Sequence, residues 1–280
     1  MINQRITEGF DALSPAQKKV AHYIRNNVHE IAFMSAKEIA MRCDSSEPTI
    51  HRLAKRLGYE KYADMSDAMK DFVYEKRVIN RFNSFVECKD EEPSWYEKHF
   101  IKEINSLRET MSQNTEEQFV DAAKMILEAK RVYLAGWRSG LTITSPFAYI
   151  LNYLLGNALL IPQGEIAEYG AVLKEGDILI CSGFPRYCKS TIKICEVAKQ
   201  KKVKIITITD AKISPFYTLA DKAFLAVSNP SGFLDSYVSP LGIMNLLIKQ
   251  IAYQAVDTVK ANLNAVEESF DYFNLKFDWK

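Results

Sequence analysis

The sequence predicts a helical N-terminal domain followed by a doubly wound, parallel-sheet α/β domain. Two features carry this reading. Up to about residue 130, apolar residues recur at helical spacing behind serine and threonine capping signals. Beyond it, five short apolar runs follow: "RVYLAG" (131–136), "NALLIP" (157–162), "DILICSG" (177–183), "KIITITD" (204–210) and "KAFLAV" (222–227). They alternate with helical patterns at roughly 139–155, 165–174 and 187–201. Runs that are apolar on both faces and separated by helices belong to parallel strands covered on both sides. The chain has 280 residues, 48% of them apolar, enough for two cores.

The first clear helix opens at Ser14, with Pro15 at its first position and Val20, Ile24 and Val28 on its buried stripe. "SAKEIAMRC" opens at Ser35, which has Glu38 at capping-box spacing and Ile39 and Ala40 facing inward. Asp44 and Ser45 form a tight connection. The next helix is capped by Ser46, carries Pro48 in its first turn and stops at Gly58, with Ile50, Leu53, Ala54 and Leu57 as its buried stripe. Thr49, His51, Arg52, Lys55 and Arg56 fall outside that stripe. Two short helices joined by a few polar residues, the second one basic, follow the helix-turn-helix plan, in which the second helix enters the DNA major groove. Ser46, Thr49, His51 and Arg52 then occupy the base-facing turns, while Lys55, Arg56, Lys61 and Tyr62 suit backbone oxygens. Ser35, at the start of the preceding helix, completes the set. The plainer readings are a solvated amphipathic helix and a helix-turn-helix that never meets DNA.

The helical pattern from Tyr62 to Arg81 turns polar at "NSFVECKDEEPSW", which places the domain boundary after residue 80. Connecting helices follow from about Trp95 to Met111, and from the Thr115–Gln118 capping box to Ala129. The sheet domain spans 131–262, and 263–280 form an aromatic tail with Phe270, Tyr272, Phe273, Phe277 and Trp279, expected to pack on the core or on a partner subunit. In doubly wound sheets ligands gather at the carboxyl ends of the strands. The first strand ends in "GWRSGLT", offering Trp137, Arg138 and Ser139. The third ends in "CSGFPRYCKST", offering Ser182, Gly183, Arg186, Tyr187 and Ser190. An arginine and hydroxyls beside a helix start suit a carboxylate or phosphate. Capping of the sheet and lining of a dimer contact are the alternatives for Arg186 and Tyr187.

Formal net charge is +1, so nucleic-acid contact has to rest on a local basic face. No basic segment leads from Met1 into an apolar run, and no stretch reaches the roughly twenty apolar residues of a membrane span. A cytoplasmic protein without a membrane partner is expected. Five cysteines without a C-x-x-C pair argue against a disulfide framework. The spacing of Cys181, Cys188 and Cys195 by seven leaves a redox or metal role beside the plainer reading of small buried side chains, and no metal or cofactor is expected.

"LSPAQKKVAHYI", "SAKEIA", "SEPTIHRLAKRLGY", "GWRSG" and "ITITDAKISPFYTLAD" together resemble the RpiR/MurR-type bacterial transcriptional regulators, over about residues 10–75 and 120–260. Ile208, Thr209, Asp210, Ser214, Pro215, Leu219, Ala220 and Asp221 match the sugar isomerase (SIS) domain signature of that family. The resemblance implies a DNA-binding head, a SIS domain sensing a phosphorylated sugar, and a homodimer or homotetramer acting on a double-stranded operator. One departure bears on the ligand: where the family commonly reads S-x-S-G-x-T, Gly183, Pro185 and Cys188 stand on the three hydroxyl positions. The effector class is therefore a small anionic metabolite, sugar phosphate or other. The rival reading is a SIS-type sugar-phosphate isomerase, for which Glu165, Glu168 and Lys189 are the available groups, since all four histidines precede the sheet domain.

Overall fold

In the computed structural model, which describes residues 2–87, 94–212, 214–228 and 234–275, the chain divides near residue 92 into two compact units. The first is helical: α1 (Ile2–Gly9), α2 (Pro15–Ile31), α3 (Ala36–Arg42), α4 (Glu47–Arg56) and α5 (Tyr62–Glu87). Ser14 and Ser35 close capping boxes with Gln17 and Glu38, satisfying backbone N–H groups that a helix start leaves orphaned. Val20, Ile24, Ile39, Ile50, Leu53 and Met65 interlock in one core. The boundary expected after residue 80 falls inside α5, whose 26 residues contain neither glycine nor proline to stop it.

The second unit holds α6 (Trp95–Gln113), α7 (Glu116–Leu127), β1 (Val132–Ala135), α8 (Leu141–Leu155), β2 (Ala158–Leu160), α9 (Ile166–Val172), β3 (Ile178–Gly183), α10 (Lys189–Gln200), β4 (Lys204–Thr209), α11 (Pro215–Leu219), β5 (Lys222–Leu225), α12 (Val238–Gln254) and α13 (Val256–Tyr272). All strand pairs are parallel, in the order β2-β1-β3-β4-β5. This order reverses direction between β1 and β3, the switch point where doubly wound sheets open a crevice. Residues of α7, α8 and α12 form the core on one face, and residues of α9, α10 and α11 that on the other.

The tail differs from the sequence reading, while Cys181 and Cys195 fit its plainer reading of small buried side chains. The expected tail from residue 263 begins inside α13, and its Tyr272 and Phe273 are exposed rather than packed on this chain's core, while Phe277 and Trp279 lie outside the described residues. The Cys181 and Cys195 sulfurs lie 3.3 Å apart between β3 and α10, both buried, and burial pushes the Cys181 thiol well up. Cys188 takes the N-cap position of α10, and Cys88 lies outside the described residues.

Candidate functional sites

Of the set expected to face DNA, Ser46, Thr49, His51, Arg52, Lys55 and Arg56 lie on α4 or at its N-cap, Ser35 caps α3, and Lys61 and Tyr62 stand at the start of α5. Ser45 N donates to the Ala40 carbonyl, and Asp44 takes a left-handed φ of 47°, a conformation aspartate tolerates better than most side chains. Lys19 holds this turn by donating to both the Asp44 carbonyl and its carboxylate at 3.0 Å. Ile50, Leu53, Ala54 and Leu57 are buried, and His51, Arg52, Lys55, Arg56 and Lys61 are exposed. His51 lies 3.7 Å from the Glu47 carboxylate. At its C-terminus α4 meets Arg5, which donates to the carbonyls of Leu57 and Gly58 at 3.1 and 3.0 Å while Gly58 turns left-handed.

Four members of the expected set are otherwise engaged. Thr49 is only 6% exposed, and its hydroxyl lies 2.8 Å from the Ser46 hydroxyl and accepts from Arg52 Nη2, so it orients its neighbours rather than facing out. Ser35 spends its hydroxyl on the Glu38 capping box, whose hydrogen bonds hold the Glu38 carboxyl below its usual range. Tyr62 is half-buried and donates to the Met34 carbonyl, with burial pushing its phenol up to about 12. Ser46 sits at the N-cap but makes no capping hydrogen bond, its hydroxyl being turned to Thr49.

In the sheet unit, the loops after β1 and β3 press together at the switch point. A Cβ on Gly140 would sit 2.2 Å from the Ser182 carbonyl oxygen, so only glycine permits this approach. Gly183 lies as tightly against the Phe216 ring, where a Cβ would come within 2.0 Å. Both loops carry an arginine at positive φ, Arg138 at 59° and Arg186 at 72°, a conformation rare for bulky side chains and concentrated at functional sites. Arg138 is exposed, while Ser139, Arg186, Tyr187 and Ser190 are half-buried around the first turns of α8 and α10. Ser182 is 1% exposed, and its hydroxyl has no hydrogen-bond partner among the described residues. The Tyr187 hydroxyl donates to Asp210 at the end of β4 over 2.8 Å. Trp137, expected to face a ligand, is buried, with its indole N–H donating to the Ile161 carbonyl and its backbone N–H to the Thr191 hydroxyl. It anchors the β1 loop from below.

Two family models account for this architecture: a helix-turn-helix domain of the rpiR family over residues 1–73 and a SIS domain over residues 125–250. The chain belongs to the rpiR family of transcriptional regulators. It is 23% identical over 262 residues to an HTH-type transcriptional regulator of Clostridium perfringens, covering 89% of this chain and 94% of that one. It is also 24% identical to the bifunctional protein glk of Burkholderia thailandensis, covering 94% of this chain and 40% of that longer protein. Among solved structures, the NanR protein of Vibrio vulnificus complexed with ManNAc-6P shares the fold with a TM-score of 0.70 at 17% identity, across 99% of this chain and 100% of that one.

Two residues of this rpiR-family chain escape sequence reasoning although they hold the two ends of the α4 region. Arg5 reaches α4 across 52 residues of sequence and Lys19 reaches Asp44 across 25, so no local spacing announces either contact. Asp210 supports the loop after β3 and was visible only as part of the SIS signature. No helix among the described residues is long and apolar enough to cross a membrane.

Proposed function

We propose that this regulator binds a double-stranded operator through α4 and that a small anionic metabolite, held by the loops after β1 and β3, controls that binding. The observation that carries the reading is α4 itself: a helix held on a fully buried apolar stripe, with Arg52, Lys55 and Arg56 projecting outward. Arg52 supplies base discrimination, a bidentate contact to guanine being worth about 1–3 kcal/mol, and Lys55, Arg56 and Lys61 hold phosphates. Two copies present two such helices to half-sites about 34 Å apart, so an effector that shifts their spacing changes affinity.

For the effector loops, the adjoining arginines and the unpartnered Ser182 hydroxyl support an anion-accepting crevice. The names of the regulator relatives support a sensing rather than an isomerising role, and the ManNAc-6P bound by NanR makes phosphorylated aminosugars the first class to try. The test pairs two variants in a fluorescence-anisotropy titration of the promoter beside the gene. Arg52→Ala is expected to lower operator affinity to the level for unrelated DNA, and unchanged preference would refute the assignment. Arg186→Ala is expected to keep operator affinity and to lose the response to a metabolite that raises the wild-type melting temperature.

A further inference from the structure

Arg5 stands outside the helix-turn-helix yet ends against its second helix. Ile2 and Ile6, one turn apart on α1, are buried in the core of the helical unit and give α1 a fixed seat. From there the Arg5 Nη1 donates to the carbonyls of Leu57 and Gly58 at 3.1 and 3.0 Å. The guanidinium also lies over the Tyr59 ring, 4.5 Å from its centroid. Gly58 leaves room for this approach, since a Cβ on it would stand 3.2 Å from Nη1.

A clamp on α4 accounts for only part of this side chain. A guanidinium carries five N–H donors, and the two bonds made here come from Nη1 alone. Nη2 and Nε, which together form the planar fork that matches two phosphate oxygens, bond to nothing among the described residues. Arg5 is exposed. With a ring beneath it and two carbonyls beside it, the fork is held in one direction by the fold, so the loss of arginine rotamer freedom does not fall on binding.

The surroundings are cationic as well. Leu57, whose carbonyl Arg5 holds, directly follows Arg56, and Tyr59 stands two residues before Lys61. Lys55, Arg56 and Lys61 are exposed, and among the described residues neither they nor Arg5 share an ion pair with a carboxylate. Cations gathered without counter-charge repel one another and favour an anion that meets several of them. A nucleic-acid backbone, with its charges in a row, is such an anion.

We propose that Arg5 grips a phosphate of the DNA backbone through Nε and Nη2, beside those held by Lys55, Arg56 and Lys61, so that α1 is part of the DNA-binding surface. This contact rests on the reading of α4 as the DNA-binding helix, and it comes from a helix that the helix-turn-helix does not contain. Phosphates carry no sequence information, so Arg5 serves operator and unrelated DNA alike.

Arg5→Gln and Arg5→Lys, compared with the wild type by fluorescence anisotropy across a salt series, test it. Neither replacement can hold both carbonyls and stack on Tyr59 as arginine does, and only Arg5→Lys keeps the charge. Arg5→Gln is expected to lower the slope of log affinity against log salt by about 0.9 on both DNAs, so that between about 50 and 200 mM salt it loses about threefold less affinity than the wild type. Arg5→Lys is expected to keep the wild-type slope. Both are expected to keep the wild-type far-UV circular dichroism, Arg5 being exposed. An Arg5→Gln slope equal to that of the wild type, or a slope lowered equally in both variants, overturns the phosphate contact and leaves Arg5 as a clamp alone. A wild type without salt-dependent DNA binding overturns instead the reading of α4 beneath it.

Discussion

Tyr62 shows how one side chain is committed twice over. Its hydroxyl ties the start of α5 to the Met34 carbonyl, and burial raises its phenol from an ordinary 10 to about 12. The folded head therefore keeps a proton that the unfolded chain has already lost at the same pH. Stability linked to Tyr62 is complete below about pH 10 and drains away as pH rises through about 12. Tyr62→Phe is expected to cost about 1 kcal/mol at neutral pH and to flatten the alkaline decline, as followed by urea unfolding at a series of pH values. At this scale the sequence misled in a consistent way. Thr49 and Trp137 were assigned outward because their types suit recognition, yet each is engaged: the threonine by Ser46 and Arg52, one helical turn to either side, and the tryptophan by Ile161 and Thr191, which are distant in sequence. Arg52, Lys55 and Arg56 were legible, because three exposed cations beside an unbroken apolar stripe admit one placement on a helix.

Elements were more legible than residues. Ser35 and Thr115 each open a helix with the expected capping box, Ser14 opens one with a box that was not expected, and β1, β3 and β4 begin and end within a residue or two of their apolar runs. The orientation of α6 was not legible, since its buried positions are Glu103, Ser106 and Thr110 rather than an apolar stripe. The contact between the β1 and β3 loops depends on Gly140, where an added methyl collides with the Ser182 carbonyl and no flexible side chain is there to yield. Gly140→Ala is expected to destabilise the sheet unit by about 1–3 kcal/mol and to weaken any response to an effector. Gly164→Ala, with nothing within 4 Å of its added carbon and no positive φ, is the control and is expected to be near neutral or slightly stabilising. Denaturant unfolding of the two variants distinguishes a specific close approach from a general intolerance of change.

For the whole molecule, a near-neutral net charge of +1 means that the proposed attraction for DNA has to come from a local basic face, for which α4 is the candidate. Lys55→Ala and Arg56→Ala are each expected to lower the slope of log affinity against log salt concentration by about 0.9, equally on operator and unrelated DNA. Anisotropy titrations across a salt series provide the check. A helical head followed by a parallel sheet was legible from hydrophobic period alone, whereas the 2-1-3-4-5 order needed the observed pairing, because parallel crossovers leave no mark in local sequence. That order has a mechanical outcome. The chain leaves β1 into α8 on one side of the sheet and leaves β3 into α10 on the other, so the two adjoining loops are the roots of opposite layers. A molecule gripped between them pulls on both layers together, as a single rivet through two plates, and no separate relay is needed for its arrival to be felt on either side of the sheet.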